Sequence, residues 1–219
     1  MLFGTDDPKY QPGDPPPPPS SEPGLIISTD TRREKRIPPG QSRTRKWPVL
    51  HFGSVPSVPR DSWTLEIDGL VDRPLKFTWD EYQSLPRVKV FADFHCVTRW
   101  SRLSNLWEGV SIHELLARAG LQPKAKFVIA TGYDSGWTTN LPIEELLQPD
   151  VLLADTHDGE PINADHGGPV RLMVPLLYAW KSAKWLRKIT FVAEDRPGYW
   201  EQAGYHDHGD PWTEERYRD

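Results

Sequence analysis

The sequence predicts an α+β fold that is mainly β. Three observations carry this: several short runs with strand periodicity, two short helices that each open on a capping-box pattern, and no regular βαβ spacing. At 219 residues the chain has room for one substantial core, or for one domain and a tail.

The elements follow in chain order. Trp63-Thr64-Leu65-Glu66-Ile67 alternates as a half-buried strand does, and Asp68-Gly69 supplies a turn. Residues 70–77 read as a second strand, broken by Pro74. Thr78-Trp79-Asp80-Glu81 has capping-box spacing and opens a short helix through Leu85. Residues 88–94 are strand-like and end at His95-Cys96, and the basic, Trp-studded stretch 100–107 reads as a loop. Ser111-Ile112-His113-Glu114 is the second capping box; Leu115, Leu116 and Ala119 give its helix an apolar face, and Gly120 stops it.

Residues 126–131 form a strand, then a loop with Gly132 and Gly136, then a short strand over 137–140. Pro142 suits the first turn of a helix over 143–147. Residues 151–157 with Asp158-Gly159 look like one arm of a hairpin, and 170–174 and 186–193 are further strands. The stretch from Asp195, rich in Gly, Pro and aromatics, reads as irregular coil.

Composition divides the chain. Thirteen of the 23 prolines precede Asp61, and Pro15 to Pro19 form an uninterrupted run that favours polyproline II. Residues 1–24 carry too little apolar surface to fold alone. Seven basic residues follow between Arg32 and Lys46 against one acid, Glu34. Residues 1–46 are therefore expected to be a Pro-rich, basic, partly disordered arm, either solvated or laid on the acidic body or a bound anion, and 47–219 the folded domain.

Several classes drop out. A net charge of −5 gives no pull toward nucleic acid, and no apolar run approaches the ~18–20 residues of a membrane span. One cysteine excludes an intramolecular disulfide framework. The first twenty residues lack signal-peptide features, and Arg32-Arg33 runs into Glu34-Lys35-Arg36 rather than a hydrophobic stretch. A cytoplasmic protein is expected.

Cys96 is the first chemical candidate. Its bland role is a small buried hydrophobe, yet His95, Arg99 and Arg102 nearby would favour the thiolate that attacks electrophiles or binds soft metals. Sequence alone leaves nucleophile and ligand open. A zinc set of His95, Cys96, His206 and His208 has the right atoms but no compact zinc spacing, and no thiol-hydrolase signature surrounds the cysteine. The second candidate is His166-Gly167-Gly168-Pro169-Val170-Arg171, followed by the run from Tyr178 to Leu186. Its glycines admit close backbone approach to a ligand, and Arg171 and Lys184 offer charge-assisted bonds to a phosphate-like group.

Taken together, Cys96-Val97-Thr98-Arg99-Trp100-Ser101, the HGGPVRLMVP stretch and the run ending Lys184-Trp185-Leu186 make residues 47–219 resemble the molybdopterin-binding domain of the sulfite oxidase family. The resemblance is to small single-domain members related to the catalytic subunit of the bacterial protein-methionine-sulfoxide reductase. It implies a sulfite oxidase-type fold, a molybdenum-molybdopterin cofactor, and Cys96 as thiolate ligand to the metal. By the same resemblance, Arg171 holds the phosphate end of the cofactor. His51, Phe52, Gly53, Thr131, His166, Ser182, Ala183 and Lys184 contact it, with His166 standing where relatives commonly carry Asn. Arg99 and Arg102, beside the ligand, are candidates to bind an anionic substrate or stabilise an oxo group, or else are surface cations.

The implied activity is oxygen-atom transfer on a small S- or N-oxide or a sulfite-like molecule. With no haem or flavin motif in the sequence, an external electron donor or acceptor protein is expected. The alternatives are a metal-free thiol redox protein using Cys96, and a β-rich binding module whose proline arm recruits a partner.

Overall fold

The computed structural model describes residues 24–134 and 136–218. The polyproline reading of residues 15–19 and the disorder expected over 1–23 lie outside these. In chain order the strands are β1 (Leu25–Ile27), β2 (Ser42–Arg43), β3 (Thr64–Gly69), β4 (Leu75–Thr78), β5 (Val88–His95) and β6 (Trp100–Ser111). They continue as β7 (Phe127–Gly132), β8 (Thr138–Pro142), β9 (Leu152–His157), β10 (Glu160–Pro161), β11 (Arg171–Met173) and β12 (Leu186–Val192). The helices are short: α1 (Trp79–Gln83), α2 (Ile112–Ala119), α3 (Ile143–Leu146) and α4 (Tyr199–Gln202).

Two mixed sheets result. One runs β1-β5-β6-β9-β10, with β11 also on β9 and β2 also on β6; the other runs β4-β3-β12-β7-β8. Their facing residues share a core: Leu65, Ile67, Val128, Ile189 and Phe191 from the second sheet meet Val110, Leu153 and Leu172 from the first. On the opposite face of the first sheet, Val90, Ala92, Phe94, Trp107, Leu152 and Ala154 form a second cluster. Strand β9 is thus buried on both faces, which is why 151–154 reads as an unbroken apolar run rather than an alternation.

Thr78 caps α1 as expected: its hydroxyl accepts from the Glu81 backbone and the Glu81 carboxylate accepts from the Thr78 N–H at 2.7 Å. The second box is only half formed. The Ser111 hydroxyl accepts from the His113 N–H, while Glu114 turns to Arg118 at 2.7 Å along the helix.

The stretch 100–107 is not a loop. It is the first part of the twelve-residue β6, antiparallel to both β5 and β9. Its Ser, Arg and Asn residues hide the strand pattern, because they are buried yet paired within the sheet layer. Ser104 meets Arg36 and Asp93, and Arg102 meets Asn105, His157 and Asp158.

Part of the N-terminal stretch shares this sheet. β1 adds in parallel to β5, and β2 in parallel to β6. Between them Arg36 is fully buried against Asp93, its Nε 2.8 Å from the carboxylate. Charge counting along the sequence does not see that partner, because it lies on a distant strand.

Candidate active site

Chain reversal between β5 and β6 builds the first wall of the site. The Cys96 N–H donates to the Trp100 carbonyl and the Arg99 N–H to the Cys96 carbonyl, both at 2.9 Å, and Arg99 closes the turn at φ +72°. This tight hairpin lifts the Cys96 side chain into a cavity of about 220 Å³. The same cavity is lined by Arg171 from β11, by Ser182, Lys184 and Trp185 ahead of β12, and by His51 and Phe52 from the segment before β3. Trp180, Trp200 and Tyr205 complete the wall nearest the cysteine, packing with Cys96 and Tyr178.

Of the residues expected at the site, the fold brings His51, Phe52, Cys96, Arg171, Ser182 and Lys184 to one cavity. The others stand off its lining. Gly53 lies in an exposed loop, and Thr131 sits in β7 opposite Thr138 and Lys188. Ala183 is buried with its carbonyl accepting from Leu172. The His166 ring stacks on Trp47, centroids 3.8 Å apart and 9° from parallel, so it backs a lining residue rather than lining the cavity itself. Arg99 is exposed and reaches the Gly40 carbonyl at 3.4 Å.

The electrostatics around Cys96 differ from those read in the sequence. His95 turns into the protein against Ser101 at 2.8 Å, and burial pulls its pKa down to about 4, so it is neutral. Arg102 is held by His157 at 2.9 Å and Asp158 at 2.7 Å. Burial pushes the Cys96 thiol up, opposed by the Thr98 hydroxyl at 3.2 Å and by the charges of Arg216 and Lys184. A bare thiol in this setting is not an activated nucleophile. The zinc set does not assemble either: His208 pairs with Glu215 and Glu145, His206 lies beside Glu215, and among the described residues no three His, Cys, Asp or Glu side chains are placed to hold a metal ion.

At the other end, Arg171 is buried with no carboxylate in ion-pair range among the described residues. Its Nη atoms donate to the carbonyls of His166 at 2.8 Å and Ser182 at 2.9 Å, and its Nε has no acceptor. Burial pulls this guanidinium down to about 9, which leaves it charged at neutral pH. Lys184 donates to the Asp165 carbonyl at 2.6 Å; burial first and Arg171 second lower it to about 7. A charged Arg171 beside Lys184, whose protonation a bound anion would favour, is the protein half of an anion site.

The glycines between them serve packing rather than ligand approach. A Cβ at Gly167 would stand 2.7 Å from the Lys184 side chain, and one at Gly168 would stand 2.0 Å from the Ile162 carbonyl. They bring the Arg171 and Lys184 segments together.

Residues 52–200 match the family described as "Oxidoreductase molybdopterin binding domain". The chain belongs to this family. It is 46% identical over 183 residues to the "uncharacterized oxidoreductase YuiH" of Bacillus subtilis, covering 83% of this chain and 92% of that protein. It is 32% identical to the "putative protein-methionine-sulfoxide reductase subunit YedZ1" of Azospira oryzae, over 77% of this chain and 65% of that one. Among solved structures, the sulfane dehydrogenase SoxCD of Paracoccus pantotrophus superposes with a TM-score of 0.58 at 27% identity, over 64% of this chain and 40% of that one. Plant nitrate reductases such as that of Solanum lycopersicum match at 28% identity, and the aligned region is a fifth of their length.

The fold is therefore of the sulfite oxidase type, the chain is an oxidoreductase, and its cofactor is molybdenum-bearing molybdopterin. The residues present fit that group. A soft sulfur donor stands at one end of the cavity, and at the other a buried cation has an orphaned Nε–H. Family membership sets aside the non-enzymatic binding module.

The sequence reading missed Trp47, Trp180, Trp200 and Tyr205 as site residues. Trp180 lies within the run from Tyr178 to Leu186, and the aromatic richness after Asp195 is the local signal for Trp200 and Tyr205.

Proposed function

We propose that the chain catalyses oxygen-atom transfer on a small S- or N-oxide or a sulfite-like molecule, at molybdenum held by the Cys96 thiolate. One observation carries the reading: the only cysteine opens into the same cavity as Arg171 and Lys184, neither of which has a carboxylate in ion-pair range among the described residues. In this reading Cys96 holds the metal, and Arg171 and Lys184 hold the phosphate end, joined by His51, Phe52 and Ser182 on the lining. Gly53, Thr131, His166 and Ala183 support that lining from behind, and Arg99 anchors the turn that presents Cys96.

Bound there, the cofactor supplies two-electron redox chemistry at a sulfur-ligated metal. The chain decides what reaches it. Trp180, Trp200 and Tyr205 form an aromatic wall beside Cys96, and among the described residues Arg171 and Lys184, both assigned to the cofactor, are the arginine and lysine that line the cavity. An uncharged oxide fits such a wall better than sulfite does. Tyr205 keeps its proton, because burial first, then Tyr217 and Cys96, push its pKa upward. Its phenol is thus a neutral donor on the approach to the metal.

The partners in this reading are a small-molecule substrate and an external electron donor or acceptor protein. No helix among the described residues is long and apolar enough to cross a membrane. A cytoplasmic setting belongs to the proposal and rests on composition, a single cysteine without a disulfide framework.

Steady-state assays of the loaded enzyme test the reading. With reduced benzyl viologen, turnover of dimethyl sulfoxide or methionine sulfoxide is expected in wild type and lost in Cys96→Ser. With ferricyanide as acceptor, sulfite is expected to be the poorer substrate by kcat/KM. A wild type that turns over no sulfoxide, no N-oxide and no sulfite overturns the proposal.

A further inference from the structure

The turn that carries Cys96 is clasped from two sides by segments distant in sequence. From the N-terminal side, Gln41 Nε2 donates to the Cys96 carbonyl at 3.0 Å, and the Ser42 N–H donates to the Arg99 carbonyl at 2.9 Å. From the far end of the chain, Arg216 Nη1 donates to the Val97 carbonyl at 2.7 Å, and Nη2 reaches the Pro39 carbonyl at 3.3 Å. Arg216 therefore ties the turn and the N-terminal segment together through one guanidinium.

Three further features make this a built arrangement. The Arg216 side chain is only 6% exposed, and its ion-pair partner Glu214 stands 3.6 Å away and is itself 47% exposed, so a buried cation is held against a partly solvated carboxylate. The guanidinium lies 5.0 Å from the ring centre of Tyr178, which packs with Cys96, Val97 and Trp180. The backbone of Arg216 continues the contact: its carbonyl accepts from the His206 N–H, and the neighbouring Tyr217 pairs with Tyr205, the phenol on the cavity wall. At the junction, a Cβ on Gly40 would stand 2.5 Å from Glu214 and 2.9 Å from Arg99. Its φ of +65° suits glycine to the bend where the three segments meet.

We propose that Arg216 is a positioning residue for the Cys96 site: it fixes the turn that presents the thiolate, and its charge tunes the metal that the thiolate holds. The inference rests on the reading of Cys96 as the metal ligand. A fixed positive charge beside a thiolate ligand favours the electron-richer state of the centre, so removing it lowers the reduction potential. Losing the bond to the Val97 carbonyl frees the turn to open locally.

The single cysteine gives a clean readout that needs no metal. In metal-free protein, at a pH where the thiol is fully ionised in every variant, iodoacetamide is expected to alkylate Cys96 about tenfold faster in Arg216→Ala, as befits loss of a charge-assisted bond. Gln41→Ala is expected to accelerate it less, and Arg216→Lys to lie between Arg216→Ala and wild type. In loaded enzyme, the Mo(V) resonance signal of Arg216→Ala is expected to change and its potential to fall, with Arg216→Lys restoring the potential but not the alkylation rate.

Alkylation rates within twofold of wild type in both Arg216→Ala and Arg216→Lys would overturn the proposal; if Arg216→Ala proves too unstable to purify, that result in Arg216→Lys alone overturns it. Absence of molybdenum from wild type would instead overturn the ligand reading. The metal-free alkylation rates would still decide the clasp.

Discussion

Arg171 and His208 show how differently a buried charge is treated in this protein. Arg171 has two carbonyls and, among the described residues, no carboxylate in ion-pair range; in the proposed reading the phosphate end of the cofactor supplies the missing anion. His208 is held between two carboxylates, Glu215 at 2.7 Å and Glu145 at 2.9 Å, and is structural. The Glu145 bond, reinforced by Glu215 against burial, raises His208 to about 9. Because the folded value exceeds the ordinary one of 6.5, its stabilisation is complete below about pH 6.5 and is lost as pH rises through 9. The Tm advantage of wild type over His208→Gln is therefore expected to be largest at pH 6 and to vanish by pH 10; an advantage that grows with pH contradicts this assignment. At this scale Cys96, Arg171 and Lys184 were legible in the sequence, since each sits in a short contiguous motif. Trp180, Trp200 and Tyr205 were not, because their role exists only once distant segments meet at Cys96. The cations read beside the thiol, His95 and Arg102, were neighbours in sequence that the strand geometry turns elsewhere.

Among the elements, β6 is the one whose character the sequence concealed. Strand propensity and alternation look for apolar residues on one face, whereas β6 buries Ser101, Arg102, Ser104 and Asn105 and pairs them. For the N-terminal stretch the reading left open a solvated arm or one laid on the acidic body, and Arg36 reaches Asp93 on β5 with both side chains fully buried. Arg36→Ala would leave Asp93 buried without its counter-ion, and about 3–5 kcal/mol of stability is expected to be lost. Urea unfolding measures this directly, and a loss below ~1 kcal/mol would show that the pair is dispensable. Elements with local chemistry were legible: Thr78 capped α1 as its spacing indicated, while Ser111 supplied only half of a box because Glu114 found Arg118 within its own helix.

On the scale of the whole molecule, two mixed sheets share one core, and the functional cavity lies where the β5–β6 turn, the start of β11 and the approach to β12 converge. The α+β, mainly β class was readable from short alternating segments. Sheet order was not, because β1, β2 and β11 join strands remote in sequence. The central claim is the proposed one, that the Cys96 thiolate joins protein to metal in the cavity it shares with Arg171 and Lys184. Molybdenum and pterin, quantified per chain in wild type and Cys96→Ser made in a host that produces the cofactor, test that claim most directly. About one molybdenum per chain is expected in wild type and little or none in the variant. Wild type without molybdenum, or a variant that retains it in equal amount with an unaltered spectrum, would contradict it.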